Sequence, residues 1–239
     1  MSLFKISFCW STQCPDTENH YDIGSLLCAR FGLSDQEKDY IVVGSQTGFL
    51  SIFYPHIDWE TSDKGGGFNV TDLLLETKLK NPILGIYTGK LNCNIPNKNI
   101  QLAVLHPNSL AIYNLQIITG VAEHGSQACL NLLVEHFFNR AAFAFCMGHF
   151  GKIKGREFYC IVHLDGTLTF YEQDGISYEC RFPGYRSLPT PVVYCERTDS
   201  FVRIGAAWTL DCYTGSLDHI EEFHKRFVCN FVFYLVRRT

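Results

Sequence analysis

Residues 157–174, EFYCIVHLDGTLTFYEQD, decide the fold. An apolar run reaches Val162, a polar turn follows at Asp165 and Gly166, and a second run returns with Leu168 and Phe170 opposed to Thr167, Thr169 and Tyr171. Asp-Gly between two such runs is a strong hairpin signal, because tight turns require left-handed backbone that glycine adopts without strain. The same design stands at 39–55, DYIVVGSQTGFLSIFYP, where Phe49, Ser51 and Phe53 alternate with Leu50 and Ile52. It returns at 99–116, NIQLAVLHPNSLAIYNLQ, with its turn at His106, Pro107 and Asn108. Aligned on Gly48, Ser109 and Gly166, the hairpins recur about every 60 residues. A fourth and weaker one runs from Pro191 through Arg197, Thr198, Asp199 and Ser200 to Ile204.

Two further apolar runs fill the interval between the first two hairpins, in 72–91, DLLLETKLKNPILGIYTGKL, split by Asn81 and Pro82. Residues 130–150 take that part before the third. There, 132–144 also fits a helical period, but strands are the reading adopted, because Phe137, Phe138, Phe143 and Phe145 fall where the repeat places them. Each period thus holds four short strands, which is one propeller blade. The expected fold is all-β, a partial β-propeller of about four blades with a short C-terminal helical tail. The period exceeds the roughly 40–45 residues of WD repeats, so long loops are expected at 59–69, around Gly65, Gly66 and Gly67, and at 120–127. Beyond Arg203 the pattern breaks, and 217–239 reads as a helix carrying Glu221, Glu222, Lys225 and Arg226 followed by an apolar end. The boundaries expected are therefore 1–203 for an incomplete N-terminal propeller and 204–239 for a divergent tail.

Composition supports this class and narrows function. Phe (19) and Tyr (12) far outnumber Met (2), and aromatics suit a pleated, half-buried surface. A net charge of −4 lacks the basic surplus of a nucleic-acid binder. Eleven cysteines, odd in number and without CxxC pairs, argue against a disulfide framework or a zinc knuckle and fit free, mostly buried thiols in a reducing compartment. Cys9 and Cys14, the nearest candidates for zinc, lack the rest of a ligand set. The N-terminus carries no apolar run of signal-peptide length, which also makes the acceptor pattern at Asn69, Val70 and Thr71 a chance match. The apolar stretch from Phe227 to Val236 is about half the roughly 20 residues of a membrane span.

Candidate chemistry thins out on inspection. Lys64 precedes Gly65–Gly67 and no Ser/Thr or helix start follows, so the stretch fails as a phosphate loop. Gly148, Gly151 and Gly155 likewise lack the closing Gly-Lys-Ser/Thr. The surrounding Lys152, Lys154 and Arg156 form the densest basic run before the tail and are the candidate docking residues for an acidic protein partner; the plainer reading is a turn leading into the strand at Phe158. His219 and His224 are wrongly spaced for a zincin helix, and the remaining histidines show no ligand triad. Gly44 to Gly48 is not a nucleophile elbow, since Ser45 sits in a hairpin turn. The chain is read as a non-enzyme with no cofactor.

The residues also carry a resemblance. In order along the chain stand Met1–Lys5 with Trp10–Thr12, Val42–Ser45 with Gly48, Leu50, Ile52 and Phe53, then Pro55–His56, Asp72–Glu76, Leu102–His106 and Glu123–Gly125. Phe150–Gly151, Lys154–Arg156, Asp165–Gly166, Phe182–Gly184 and Arg197–Phe201 follow. Over about residues 1–201 this is similar to the N-terminal propeller of the Bardet–Biedl syndrome protein nine family, the parathyroid-hormone-responsive subunits of the BBSome. The resemblance implies a scaffold subunit of a coat-like complex for ciliary membrane-protein trafficking and cilium assembly. It implies other BBSome subunits as partners, membrane-protein cargo met indirectly, and a place in the cytoplasm, at the ciliary base (basal body and centriolar satellites) and in the cilium. No nucleic acid, transmembrane segment or catalytic residue is implied. The family's propeller needs well over 300 residues, so an incomplete ring is expected, with the tail from Arg203 departing from the family as a truncated isoform or mis-joined gene model would. An unrelated cytosolic propeller adaptor is the alternative.

Overall fold

Four hairpins organise the chain, and three share one turn. Gly48 N–H donates to the Ser45 carbonyl (3.0 Å), Gly166 N–H to that of His163 (3.0 Å) and Asp199 N–H to that of Glu196 (3.4 Å). In each, the fourth residue is left-handed, with φ of 92° at Gly48, 79° at Gly166 and 52° at Asp199. At Asp199 the loop has four residues, because Cys195 pairs directly with Ser200; at Gly48 and Gly166 it is the three-residue hairpin loop, a helical turn closed by one left-handed residue. It replaces the tighter two-residue turn expected at Asp165-Gly166, because Asp165 keeps negative φ and only the glycine crosses over.

The computed structural model describes residues 10–13, 20–31, 39–55, 72–91, 100–119, 126–153, 157–172, 175–182, 189–205 and 209–214. Its elements are strands apart from a single-turn 3-10 segment at Phe150–Lys152 and isolated turns. The first sheet runs in the order β1 (Leu26–Ala29), β2 (Tyr40–Gly44), β3 (Phe49–Phe53) and β4 (Leu73–Lys78). The second holds β5 (Gly85–Gly89), β6 (Gln101–Leu105), β7 (Ser109–Thr119) and β8 (Ser126–Phe137). The third holds β9 (Ala142–Gly148), β10 (Phe158–His163), β11 (Thr167–Glu172) and β12 (Gly175–Arg181). The fourth has three described strands, β13 (Val192–Cys195), β14 (Ser200–Ile204) and β15 (Leu210–Thr214).

Consecutive strands are neighbours in every sheet, and the pairings in the first, third and fourth sheets and between β6 and β7 are antiparallel. This is the blade meander. The fold is all-β, a partial propeller of about four blades. Residues 132–137 fall in β8 and 142–144 in β9, with 138–141 connecting them, so this stretch is strand rather than helix, as the repeat required. Strand pairing also passes Ile204, where the sequence pattern breaks off: Leu210 pairs with Ile204 and Tyr213 with Phe201. The loop expected at 59–69, the helix expected in the tail at 217–239 and most of the loop expected at 120–127 lie outside the described residues, while Ser126 and Gln127 of that last stretch begin β8.

The chain divides into two compact units, one of Met1–Ile86 with Leu115–Asn131, the other of Tyr87–Asn114 with Leu132–Thr239. In the first, Gly44 admits no side chain because a Cβ there would stand 2.6 Å from Ile83 Cγ2. Trp10 packs edge-on against Phe53 at 5.8 Å and its indole N–H donates to Asp72 Oδ2 at 3.0 Å. In the second, the core runs through one face of the third sheet, with Cys146, Phe158, Cys160, Val162, Leu168 and Phe170, onto Val192, Phe201 and Tyr213 of the fourth. All of β10 is buried, whereas β14 buries only some of its positions. Of the seven described cysteines, all free, only Cys146 and Cys160 are buried; the wider thiol burial expected from composition does not hold, because the others lie on outer strands or open faces.

Candidate protein-docking turn at His149–Lys152

The basic stretch singled out in the sequence begins at the end of β9. Gly151 (φ 71°) and Lys152 (φ 58°) are both left-handed, and Lys152 N–H closes the turn on the His149 carbonyl at 3.0 Å. For a lysine this backbone is uncommon and has to be held in place by its surroundings.

Phe150 supplies the anchor. It is 2% exposed and its ring meets Tyr194 at 4.7 Å, Phe201 at 4.8 Å, Phe170 at 5.8 Å and Phe158 at 6.2 Å. Three of the four contacts are edge-to-face, the arrangement that the charge distribution of aromatic rings favours. A Cβ on Gly148 would run into the Tyr194 ring, so glycine is required where β9 passes the fourth sheet.

A polar clasp completes the anchor. Asp199 Oδ1 accepts the Gly151 N–H at 2.9 Å and lies 2.8 Å from the Tyr194 hydroxyl, which is also 2.9 Å from the His149 carbonyl. Burial, then the hydrogen bond to Asp199, pushes the Tyr194 phenol far above its ordinary range, so it stays a proton donor. His149 Nδ1 approaches Glu196 Oε1 at 3.0 Å on the surface. Beside them, Cys195 is held below the usual thiol range, first by its hydrogen bond with the Thr198 side chain and then by backbone N–H groups.

Lys152 itself is exposed, and among the described residues it has no carboxylate at ion-pair distance. Lys154 and Arg156 lie outside the described residues. The structure therefore places one of the three candidate basic residues, on a turn pinned from below by Phe150 and Asp199. The Tyr194–Asp199 clasp escaped sequence reading because it joins residues about fifty positions from the turn it holds; its one signal was an aspartate at the hairpin position that glycine fills elsewhere.

Other candidates resolve structurally. His163 is 2% exposed, with Nδ1 3.2 Å from the Arg140 carbonyl and Nε2 2.9 Å from Thr169 Oγ1. Burial pushes its pKa below the ordinary value, as suits a neutral core imidazole. Among the described residues no group of three or more His, Cys, Asp or Glu could hold a metal ion, and no helix is long and apolar enough to cross a membrane. His219, His224, Glu221, Glu222 and Gly65–Gly67 lie outside the described residues.

Comparison with known proteins gives the following. Residues 1–225 match the family model described as PTHB1 N-terminal. Protein PTHB1 of Xenopus laevis is 38% identical over 213 residues, covering 89% of this chain and 24% of that protein. Protein PTHB1 of Homo sapiens is 38% identical over 213 residues, covering 89% of this chain and 23% of its own length. The chain thus spans about a quarter of the curated relatives it matches. The sequence match passes Arg203, where the sequence reading placed the departure from the family. Among solved structures, BBS1N in complex with ARL6DN is a loose likeness, 11% identical with a TM-score of 0.42, covering 82% of this chain and 66% of that one.

Proposed function

We propose, from the premise that the chain belongs to the PTHB1 N-terminal family, that it is a protein–protein scaffold of the BBSome, built from propeller blades and without catalysis of its own. The observation that carries the reading is 38% identity to PTHB1 along 89% of the chain. A collinear match of that extent reaches blades and connecting loops alike, whereas a shared architecture alone would not preserve sequence. On this reading the partners are other BBSome subunits, membrane-protein cargo is met through them, and the work is ciliary trafficking and cilium assembly. The chain would act in the cytoplasm, at the basal body and centriolar satellites, and in the cilium.

Within that function, Lys152 together with Lys154 and Arg156 offers an acidic partner a cationic contact. What supports this is the exposure of Lys152 on a turn whose backbone is pinned by Phe150 and Asp199, so little ordering is needed on binding.

The test is affinity capture of the tagged chain from ciliated cells, followed by identification of retained proteins. Recovery of several BBSome subunits in fixed proportion is the expected result; their absence from captured material in which the chain is folded refutes the reading. Reversing charge at all three positions together should weaken capture about ten-fold, since exposed ion pairs contribute about 0.2–1 kcal/mol each, and the loss should shrink in high salt. Capture indifferent to both charge and salt would assign the contact to another surface.

A further inference from the structure

In the third sheet a hydroxyl with one proton stands between two acceptors. His163, at the end of β10, is 2% exposed, with Nδ1 3.2 Å from the Arg140 carbonyl and Nε2 2.9 Å from Thr169 Oγ1 on β11. Thr169 Oγ1 is also 3.3 Å from Glu179 Oε1 on β12. Glu179 in turn takes the Arg140 guanidinium, whose Nη1 stands 3.2 Å from Oε1 and 3.3 Å from Oε2. These contacts close a ring, from the Arg140 carbonyl through His163, Thr169 and Glu179 back to the Arg140 side chain. The ring ties the connection between β8 and β9 to three strands of the sheet. The turn itself does not call for a histidine: the residue whose carbonyl closes the corresponding turn is Ser45 in the first sheet and Glu196 in the fourth.

Donor and acceptor inventory fixes the polarity of the ring. A carbonyl only accepts, so Nδ1 carries a proton in both charge states of the imidazole. In the neutral form Nε2 is then bare and accepts from the Thr169 hydroxyl. That contact uses the only hydroxyl proton, and Glu179 is left to Arg140. In the imidazolium Nε2 carries a proton as well and donates to Thr169 Oγ1, whose own proton turns to Glu179. Every link then has one donor and one acceptor. The hydroxyl rotates, no covalent bond breaks, and the proton gained stays on His163.

We infer that His163, Thr169 and Glu179 form a pH-sensing relay, in which protonation of the buried imidazole reverses the Thr169 hydroxyl and so changes the hydrogen bonding of the surface ion pair Arg140–Glu179. That pair is the outlet of the relay, its side chains being 44% and 41% exposed. The other groups around His163 set where the switch lies. Burial disfavours the imidazolium most, the Arg140 carbonyl and Asp165 favour it, and the Arg140 guanidinium opposes it, so the neutral form holds at neutral pH and the reversal comes on the acid side. Asp165 is itself held by Arg140 and Arg181, each at 3.2 Å. The Phe138 ring packs edge-on against the imidazole at 5.6 Å. Tyr171 keeps its proton throughout, its phenol pushed up to about 12 by burial and then by Glu179. The relay is internal to the third sheet and stands whether or not BBSome subunits are captured.

The test is NMR of the whole 239-residue chain, with nitrogen labelled in histidine and the carboxyl carbon labelled in glutamate, titrated from about pH 7.5 to 5. In the neutral form His163 should carry a proton on Nδ1 and none on Nε2. The Glu179 carboxyl carbon should shift at the His163 midpoint as well as at its own. Thr169→Val keeps the side chain's shape and removes the hydroxyl. It should abolish the linked shift of Glu179 and move the His163 midpoint to lower pH, because the imidazolium loses its path to a carboxylate. Thr169→Ser should restore both, which a merely structural role for the threonine would not require. Glu179→Gln, at a half-exposed position that leaves the sheet packed, should also lower the His163 midpoint. A proton on Nε2 in the neutral form overturns the proposal. So does a Glu179 carbon that ignores the His163 midpoint in the unaltered chain, or one that still follows it in Thr169→Val.

Discussion

Single residues at the turns carry more of the fold than their size suggests. Gly166 takes φ of 79° while the preceding Asp165 accepts the Thr167 N–H at 2.9 Å and holds Arg140 and Arg181, each at 3.2 Å. Burial raises the Asp165 carboxyl, but Thr167 and the two arginines outweigh it and leave it below its usual value. Gly166→Ala should cost about 1–2 kcal/mol, the strain of a left-handed side-chain residue, measured by urea denaturation. Lys152→Ala should stay within about 0.5 kcal/mol; equal costs would contradict the turn assignment. His163 gives a second residue-scale prediction. Its folded pKa lies below the unfolded value of about 6.5 because burial disfavours the imidazolium, against weaker support from the Arg140 carbonyl and Asp165. The unfolded chain therefore binds more protons in that range. Stability is full above about pH 6.5 and declines as pH falls through the folded pKa. His163→Gln should flatten that decline in a urea midpoint series from about pH 7.5 to 5; an unchanged slope would move the effect to other groups.

At the scale of elements, the third sheet shows how burial is distributed along its strands. Its central strand β10 is buried throughout, as is β6 of the second sheet. Residues buried on both faces read as continuous apolar runs, which is why 157–163 and 101–105 lack the alternation visible at 49–53. Thiol labelling checks the assignment directly. Burial, then the neighbouring Cys146, raises the Cys160 thiol well above its usual value, and burial pushes Cys180 up to about 12. Cys28, exposed on β1, should react with a maleimide within minutes, whereas Cys146 and Cys160 should react only on unfolding. Fast native labelling of Cys160 would be incompatible with the register of β9 to β10. The 3-10 turn after β9 belongs to this scale too, since Phe150 joins rings from β10, β11, β13 and β14 in one contact set.

For the whole molecule, blades stabilise one another by covering faces, and the covers are unequal. Leu26 on β1 is 66% exposed and Val193 on β13 is 64% exposed, each on a strand at the edge of its sheet. A chain assembled from repeats gains stability from each shared interface and loses it where one is open. The isolated 239-residue chain should therefore melt broadly, with a van't Hoff enthalpy below the calorimetric one. A single sharp transition with matching enthalpies would show that the exposed faces cost the fold little.

Hairpin order, strand alternation and the blade repeat were already legible in the chain, because Gly48, Gly166 and the apolar runs beside them act through local backbone preference and period-two patterning. The basic run at Lys152 was legible as composition, yet neither its rigid turn nor its clasp was, since Tyr194 and Asp199 come from a different hairpin and only packing brings them to Gly151. The turn type at Asp165 likewise needed the tertiary structure, where Arg140, from the β8–β9 connection, fixes a carboxylate that sequence alone reads as a loop polar group. Which apolar face is covered and which is left open was decided only in three dimensions. Val162 and Ile204 are alike in sequence and in register, and differ because one lies under a neighbouring sheet while the other faces solvent.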